Sequence, residues 1–165
     1  MPDLTIKRRW WHPIIQNLAA SRFGTWLLAD NLQRIDKPML RLTHNRTSFT
    51  SLLAGLPVVV LNTIGARTGL PRQTPLVAIP DGERIILIAS YFGNTHHPAW
   101  YHNLIAHPEV RVSVKGMAGD YFARPLSGGE REKYWCIAVD AYHGYRRYKQ
   151  KAGDREIPVI MLEPR

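Results

Sequence analysis

From residue 56 onward the chain alternates short apolar runs with polar punctuation. "LPVVVLNTIG" (56–65) is β-branched and bounded by Pro57 and Gly65, so it reads as a strand. "RQTPLVAIP" (72–80) is a second strand and "RIILIAS" (84–90) a third, with Asp81-Gly82 between them as a hairpin signal. "HPAWYHNLIAHP" (97–108) predicts a helix that starts at Pro98 and stops before Pro108. "EVRVSVK" (109–115) and "YFARPLS" (121–127) alternate as strands, and Gly116 and Gly119 mark the turn between them. A helix follows from about Glu130 to Ala141, is interrupted at Gly144 and continues through Tyr148. "IPVIMLEP" (157–164) is the last strand.

Upstream the period changes. In residues 10–34 apolar positions recur at helical spacing, in two pieces broken near Pro13 and Gly24. The chain therefore reads as one globular domain with an N-terminal helical segment (1–55) and a sheet-forming region (56–165). Six strands joined by short loops, without regular β-α-β alternation, predict a mainly β (α+β) fold. The expectation is an antiparallel sheet closed into a small barrel with helices packed outside, and a Rossmann fold is disfavoured.

Charge adds a partner class. The formal net charge is +9 over 165 residues. Residues 1–50 carry +5 of it, and the remaining 115 residues only +4. Such a balance favours anionic partners: a phosphorylated cofactor, a membrane face or nucleic acid. No recognition helix or RNA-binding signature accompanies it, so nucleic acid is not expected. Lys7, Arg8, Arg9, Trp10 and Trp11 precede an apolar-faced helix. Residues 7–34 suit peripheral contact with an anionic membrane surface, and equally a helix packed over the barrel or a dimer neighbour. The single cysteine, Cys136, rules out an internal disulfide and is expected to be a buried, unreactive thiol in an intracellular protein. No secretory leader is evident, and the apolar runs are too short to span a bilayer.

The candidate chemistry lies in three places. "LNTIGARTGLPRQTPL" (61–76) puts Gly65 and Gly69, Arg67 and Arg72, and Thr68 and Thr74 around one turn, a set able to hold a phosphate or carboxylate. A solvated basic hairpin is the plain alternative, and no Walker or GxGxxG motif is present. "SYFGNTHHPAWYHNL" (90–104) leads from a strand through a polar loop into a helix N-terminus. Tyr142, Tyr145 and Tyr148 are spaced by three and could line a polar-aromatic pocket or form a half-buried amphipathic face. His96, His97, His102 and His107 lack metal-ligand spacing, and no metal is expected. There is no nucleophile elbow, Ser-His-Asp order or carboxylate pair, so if the chain is an enzyme a cofactor carries the chemistry.

Five stretches in unbroken order, "LNTIGARTGLPRQTPL", "DGERIILIAS", "HPAWYHNLIAHPEVRV", "YHGYRRYK" and "DREIPVIMLEP", resemble the deazaflavin-dependent nitroreductase family, whose members are also described as coenzyme F420-dependent quinone reductases. The resemblance spans residues 56–164. It implies a split β-barrel of the flavin-reductase and pyridoxamine-oxidase type. It also implies binding of coenzyme F420, an 8-hydroxy-5-deazaflavin with an anionic phospholactyl-polyglutamate tail, with FMN less favoured. In that reading Arg67, Thr68 and Arg72 hold the phosphate. Gln73, Thr74, Pro75, Leu76 and Val77 run along the ring, and Ile88, Ala89, Ser90 and Tyr91 border it. Ala99, Trp100, Tyr101, His102 and Asn103 form a helix wall with Trp100 beside the ring. Tyr145 approaches ring or substrate as the candidate proton donor, and Tyr142 and Tyr148 shape the pocket. The implied activity is hydride transfer from the reduced deazaflavin to a quinone or nitro compound. It would be performed by a cytoplasmic protein, working at the inner face of the cell membrane where the acceptor is membrane-borne, and pairing as a homodimer. A non-catalytic deazaflavin, flavin or haem carrier is the alternative. Two departures from the family pattern stand out: Ala66 where a second basic residue is common, and Tyr91-Phe92 in place of a smaller or polar pair.

Overall fold

The computed structural model describes residues 56–114 and 117–165. The expected N-terminal segment, 1–55, and the membrane-facing role of residues 7–34 lie outside the described residues. The elements are β1 (Val58–Ile64), β2 (Pro71–Val77), β3 (Ile79–Asp81), β4 (Arg84–Ile88), α1 (Ala99–Ala106), β5 (Glu109–Val114), β6 (Met117–Pro125), α2 (Gly128–Ala141), α3 (Gly144–Ala152) and β7 (Val159–Pro164).

All strand pairings are antiparallel, in the order β2-β1-β5-β6-β7-β4-β3. β2 and β3 are opposite edges of that order, yet only Ala78 separates them in sequence. The sheet must therefore curl until its edges nearly meet: it is antiparallel and barrel-forming as the strand pattern predicts, and a split β-barrel as the family resemblance implies. The single run expected at 72–80 is one chain segment that changes partners at Ala78, pairing with β1 before it and with β4 after it. Ala78 itself donates its N–H to the Pro57 carbonyl at 2.9 Å. β6 begins at Met117, four residues before the expected start, because Met117–Asp120 pair with Val114–Arg111.

Alternation along β4 and β7 explains the two cores. Ile85 pairs with Leu162 and Leu87 with Ile160, and all four face the barrel interior with Val59, Leu61, Val110, Val112, Trp100 and Leu104. Ile86 pairs with Met161 and Ile88 with Val159, and these face outward into a second cluster with Tyr134, Trp135, Tyr145 and Tyr148 of α2 and α3. A strand apolar on both faces is the signature of burial on both sides. Each fully buried aliphatic side chain contributes roughly 1.5–3 kcal/mol of transfer free energy.

Cys136 departs from expectation: it is exposed. The inward face of α2 is taken by Tyr134, Trp135, Ala138 and Val139, which turns Cys136 and Ile137 toward solvent.

Candidate cofactor site

The anion-friendly loop is a compact turn closed by its own backbone. Gly65 N–H donates to the Leu70 carbonyl at 2.9 Å, and the Gly65 carbonyl accepts from Gly69 N–H at 2.8 Å and Thr68 N–H at 3.2 Å. A Cβ on Gly65 would stand 2.6 Å from Thr68 Oγ1 and 3.3 Å from the Leu70 carbonyl oxygen, so a larger residue would have to displace the Thr68 hydroxyl. Arg67, Thr68 and Arg72 are exposed around it. Arg84, Arg111, Arg124, Arg131 and Arg165 all pair with carboxylates, whereas neither Arg67 nor Arg72 has an ion pair among the described residues. Two unneutralised guanidinium groups on a glycine cradle fit a phosphorylated tail.

One buried side chain fixes this loop to the helix wall. Asn103, 8% exposed, accepts from Ala66 N–H at 2.9 Å and donates through Nδ2 to Thr63 Oγ1 at 3.1 Å. The predicted site residue Asn103 thus bonds to the loop at Ala66, two residues before Thr68. Trp100 does not join them. It is 6% exposed and packed in the barrel interior, because its turn of α1 faces the core with Leu104. Tyr101 packs partly buried against that core and against His97 and His102, and Ala99 and His102 are exposed.

β2 splits the remaining predicted ring contacts between two faces. Thr74 pairs with Leu61 and Leu76 with Val59, which puts them on the barrel side. Gln73 and Pro75 take the other face, where Gln73 Nε2 donates to Asn62 Oδ1 at 2.9 Å, as Val77 does by the same alternation. Arg72, Gln73 and Pro75 border a cleft of about 700 Å³ that Asn62, Arg111 and Arg165 also line. Residues 88–91, 99–103 and 142–148 do not line that cleft.

Ile88 and Ala89 are buried, while Ser90 and Tyr91 are half-buried at the start of a tight turn. Arg155, a residue that sequence reasoning passed over, grips this turn. Its guanidinium donates to the carbonyls of Asn94 (2.8 Å), Ala89 (3.2 Å) and Ser90 (2.6 Å) and lies 3.1 Å from His97 Nδ1. Burial, then the neighbouring Arg155 charge, holds His97 below its ordinary value of 6.5, so its ring is neutral at neutral pH. Burial likewise lowers Arg155.

The tyrosines come together across the α2–α3 junction. The Tyr142 and Tyr148 hydroxyls are 3.1 Å apart, and Tyr145 meets both rings edge-on. The interruption expected at Gly144 falls instead at Tyr142 and His143, between the end of α2 and Gly144, the first residue of α3, and a Cβ on Gly144 would fall 2.3 Å from the Tyr142 ring. Tyr148 also touches the Phe92 ring, joining the cluster to the turn at 91–93. Burial raises the pKa of all three phenols, so they stay protonated at neutral pH. Tyr145 is 5% exposed and Tyr142 half-buried, which leaves Tyr142 the more accessible hydrogen-bond donor. Among the described residues no group of three or more His, Cys, Asp or Glu stands close enough to hold a metal ion, and no helix is long and apolar enough to cross a membrane.

The fold is thus a split barrel that carries an exposed cationic loop tied to α1 through Asn103, a donor set suited to an anionic group. The model of the F420H2-dependent quinone reductase family matches residues 33–164, and the chain belongs to that family. The F420H2-dependent quinone reductase Rv1261c of Mycobacterium tuberculosis is 33% identical over 112 residues, covering 66% of this chain and 74% of that protein. Among solved structures, F420-H2 dependent reductase FDR-A superposes with a TM-score of 0.59 at 40% identity, covering 65% of this chain and 94% of that one. A chain described as a domain-swapped dimer superposes with a TM-score of 0.61 at 34% identity, covering 77% and 94%.

Proposed function

We propose that this chain is an F420H2-dependent oxidoreductase that passes hydride to an electron-poor acceptor of the quinone class, with nitro compounds as further acceptors. The observation that carries the proposal is the Gly65–Leu70 cradle, with Arg67 and Arg72 unpaired among the described residues and held to α1 by Asn103. When bound, the reduced deazaflavin supplies the hydride from carbon 5 of its ring.

In this reading the protein contributes binding and orientation. Arg67, Thr68 and Arg72 hold the phosphate by charge-assisted hydrogen bonds. Thr74 and Leu76 on one face of β2, or Gln73, Pro75 and Val77 on the other, guide the ring. Ser90 and Tyr91 close one side, and Ala99, Tyr101 and His102 offer the surface of α1. Asn103 acts on the loop from within. Fixing two reactants in a near-attack arrangement is one share of the rate that such a site can supply. The tyrosine cluster offers neutral hydroxyls, with Tyr142 exposed enough to donate to an acceptor oxygen and Tyr145 packed behind it. A raised phenol is a weak acid, so the tyrosines hold the acceptor oxygen by a hydrogen bond and water completes its protonation. The basic, aromatic residues 7–34 are proposed to bring the site to a membrane-borne quinone. Pairing of two copies is supported by the domain-swapped relative.

Steady-state oxidation of reduced F420 with menadione as acceptor tests the reading. Acceptor-dependent oxidation that saturates in both reactants supports a reductase. Tight binding of F420 without turnover would make the protein a carrier, and binding of FMN alone would remove the deazaflavin from the account.

A further inference from the structure

The turn after β4 is held in a conformation its sequence resists. Tyr91 (φ 47°), Phe92 (φ 54°) and Gly93 (φ 74°) lie consecutively in the left-handed region. Only glycine visits it freely, and a bulky aromatic residue there is an outlier. Two backbone bonds, Gly93 N–H to the Ser90 carbonyl and Asn94 N–H to the Tyr91 carbonyl, both 3.0 Å, do not by themselves offset two strained residues. Strain of this kind persists only where surrounding groups over-determine it, and it concentrates at ligand sites.

We infer that Arg155 is the positioning residue that holds this strained turn in the form needed to wall the deazaflavin ring. Its fork reaches both flanks of the turn, Ala89 and Ser90 before it and Asn94 after it. A guanidinium has only donors, so His97 Nδ1 must accept the fourth contact, and the His97 proton sits on Nε2. The fork thereby also ties the turn to the approach of α1. The opposite side of the turn is backed by α3: the Phe92 ring meets Tyr148, and Gly93 passes so near that a Cβ would lie 2.7 Å from the Tyr148 carbonyl oxygen. The turn is clamped between helix and fork. Arg155 enters from 61 to 66 residues away in sequence, so the clamp exists only in the folded barrel. A lysine presents one point charge and cannot span carbonyls that a planar fork bridges.

The inference rests on the reading of Ser90 and Tyr91 as part of the ring wall, and its test has one readout that needs no cofactor. The variants are Arg155→Lys and Arg155→Met. Chymotrypsin cleavage after Tyr91 and Phe92 reports the turn directly. Titration with F420, and in parallel with the tail-less 8-hydroxy-5-deazariboflavin, reports the site. Both variants should be cleaved at the turn about tenfold faster than the parent, and their affinity for the two ligands should fall by the same factor, also about tenfold, because both readouts follow the same opening of the turn. Equal loss for both ligands marks positioning of the ring wall, because a direct contact with the tail would weaken only F420. Parent-like cleavage and binding in Arg155→Lys would overturn the inference, as would a loss confined to F420. If the parent binds neither ligand, the functional reading fails while the cleavage rates still decide whether Arg155 holds the turn.

Discussion

Two glycines with nearly the same backbone angle should respond very differently to one methyl group. Gly69 has φ 65° and Gly93 has φ 74°, so Ala at either position carries the left-handed penalty of about 1–2 kcal/mol. Around Gly69 the added Cβ meets nothing within 4 Å. Around Gly93 it would stand 2.7 Å from the Tyr148 carbonyl oxygen, 2.8 Å from Lys151 Cβ and 3.1 Å from Tyr148 Cα. Two of these are backbone atoms of α3 and cannot swing aside, so either the helix or the turn must shift, which adds roughly 1–3 kcal/mol of overpacking. Gly69→Ala should therefore cost about 1 kcal/mol and Gly93→Ala about 3 kcal/mol. At this chain length those values correspond to melting-point drops of about 2–4 °C and about 6–12 °C. Thermal unfolding followed by circular dichroism separates them. Drops that agree within about 1 °C would refute the claim that the turn is pressed against α3, because strain alone would then account for both.

Three further outcomes follow from the geometry. Asn103→Ala removes the bonds to Ala66 N–H and Thr63 Oγ1 and should cost about 2 kcal/mol, or about 4–8 °C in melting temperature. F420 affinity should fall with it, and an unchanged affinity would uncouple α1 from the loop. His97 is held below 6.5 in the folded chain, so the unfolded chain takes up its proton first as pH falls. Its contribution to stability is complete above about pH 6.5, declines below that and levels off once the folded ring also protonates beside Arg155, His102 and His96. The melting-point gap between the parent and His97→Gln should shrink over that fall, and a constant gap would contradict the assignment. Gly144→Ala should push the Tyr142 ring from its seat and separate the Tyr142 and Tyr148 hydroxyls, seen as a change in tyrosine near-ultraviolet dichroism. An unaltered spectrum would argue against the packing described.

Local pattern carried the strands well because Ile85–Ile88 and Val159–Leu162 are apolar on both faces, a signal that needs no tertiary information. The exchange of partners at Ala78 was not legible: nothing in "RQTPLVAIP" distinguishes a strand that serves one neighbour from a strand that serves two. Met117–Asp120 read as a turn because Gly119 lies within it, yet its pairing with Val112 is set by the partner strand. The anion loop could be read from its glycines and arginines, since its closure is local. Trp100 and Leu104 share one helical face, and periodicity alone cannot tell whether that face meets a ligand or a core. Arg155 was invisible for a different reason. Its acceptors are backbone carbonyls, which every sequence supplies, and only the closed barrel brings the guanidinium to them.

The central claim is that the Gly65–Leu70 loop holds the anionic tail of a deazaflavin. The most direct measurement is the fluorescence-titrated affinity of the parent and of Arg67→Ala/Arg72→Ala for F420 and for the tail-less deazaflavin, at two salt concentrations. The account predicts that the double variant loses about a hundredfold for F420 and less than about twofold for the tail-less ring, at a value of one charge-assisted contact per arginine. The salt dependence of F420 binding should weaken in the same variant. Equal affinity of the double variant and the parent for F420 would contradict the assignment of the loop, and equal losses for both ligands would move its arginines from the tail to the ring.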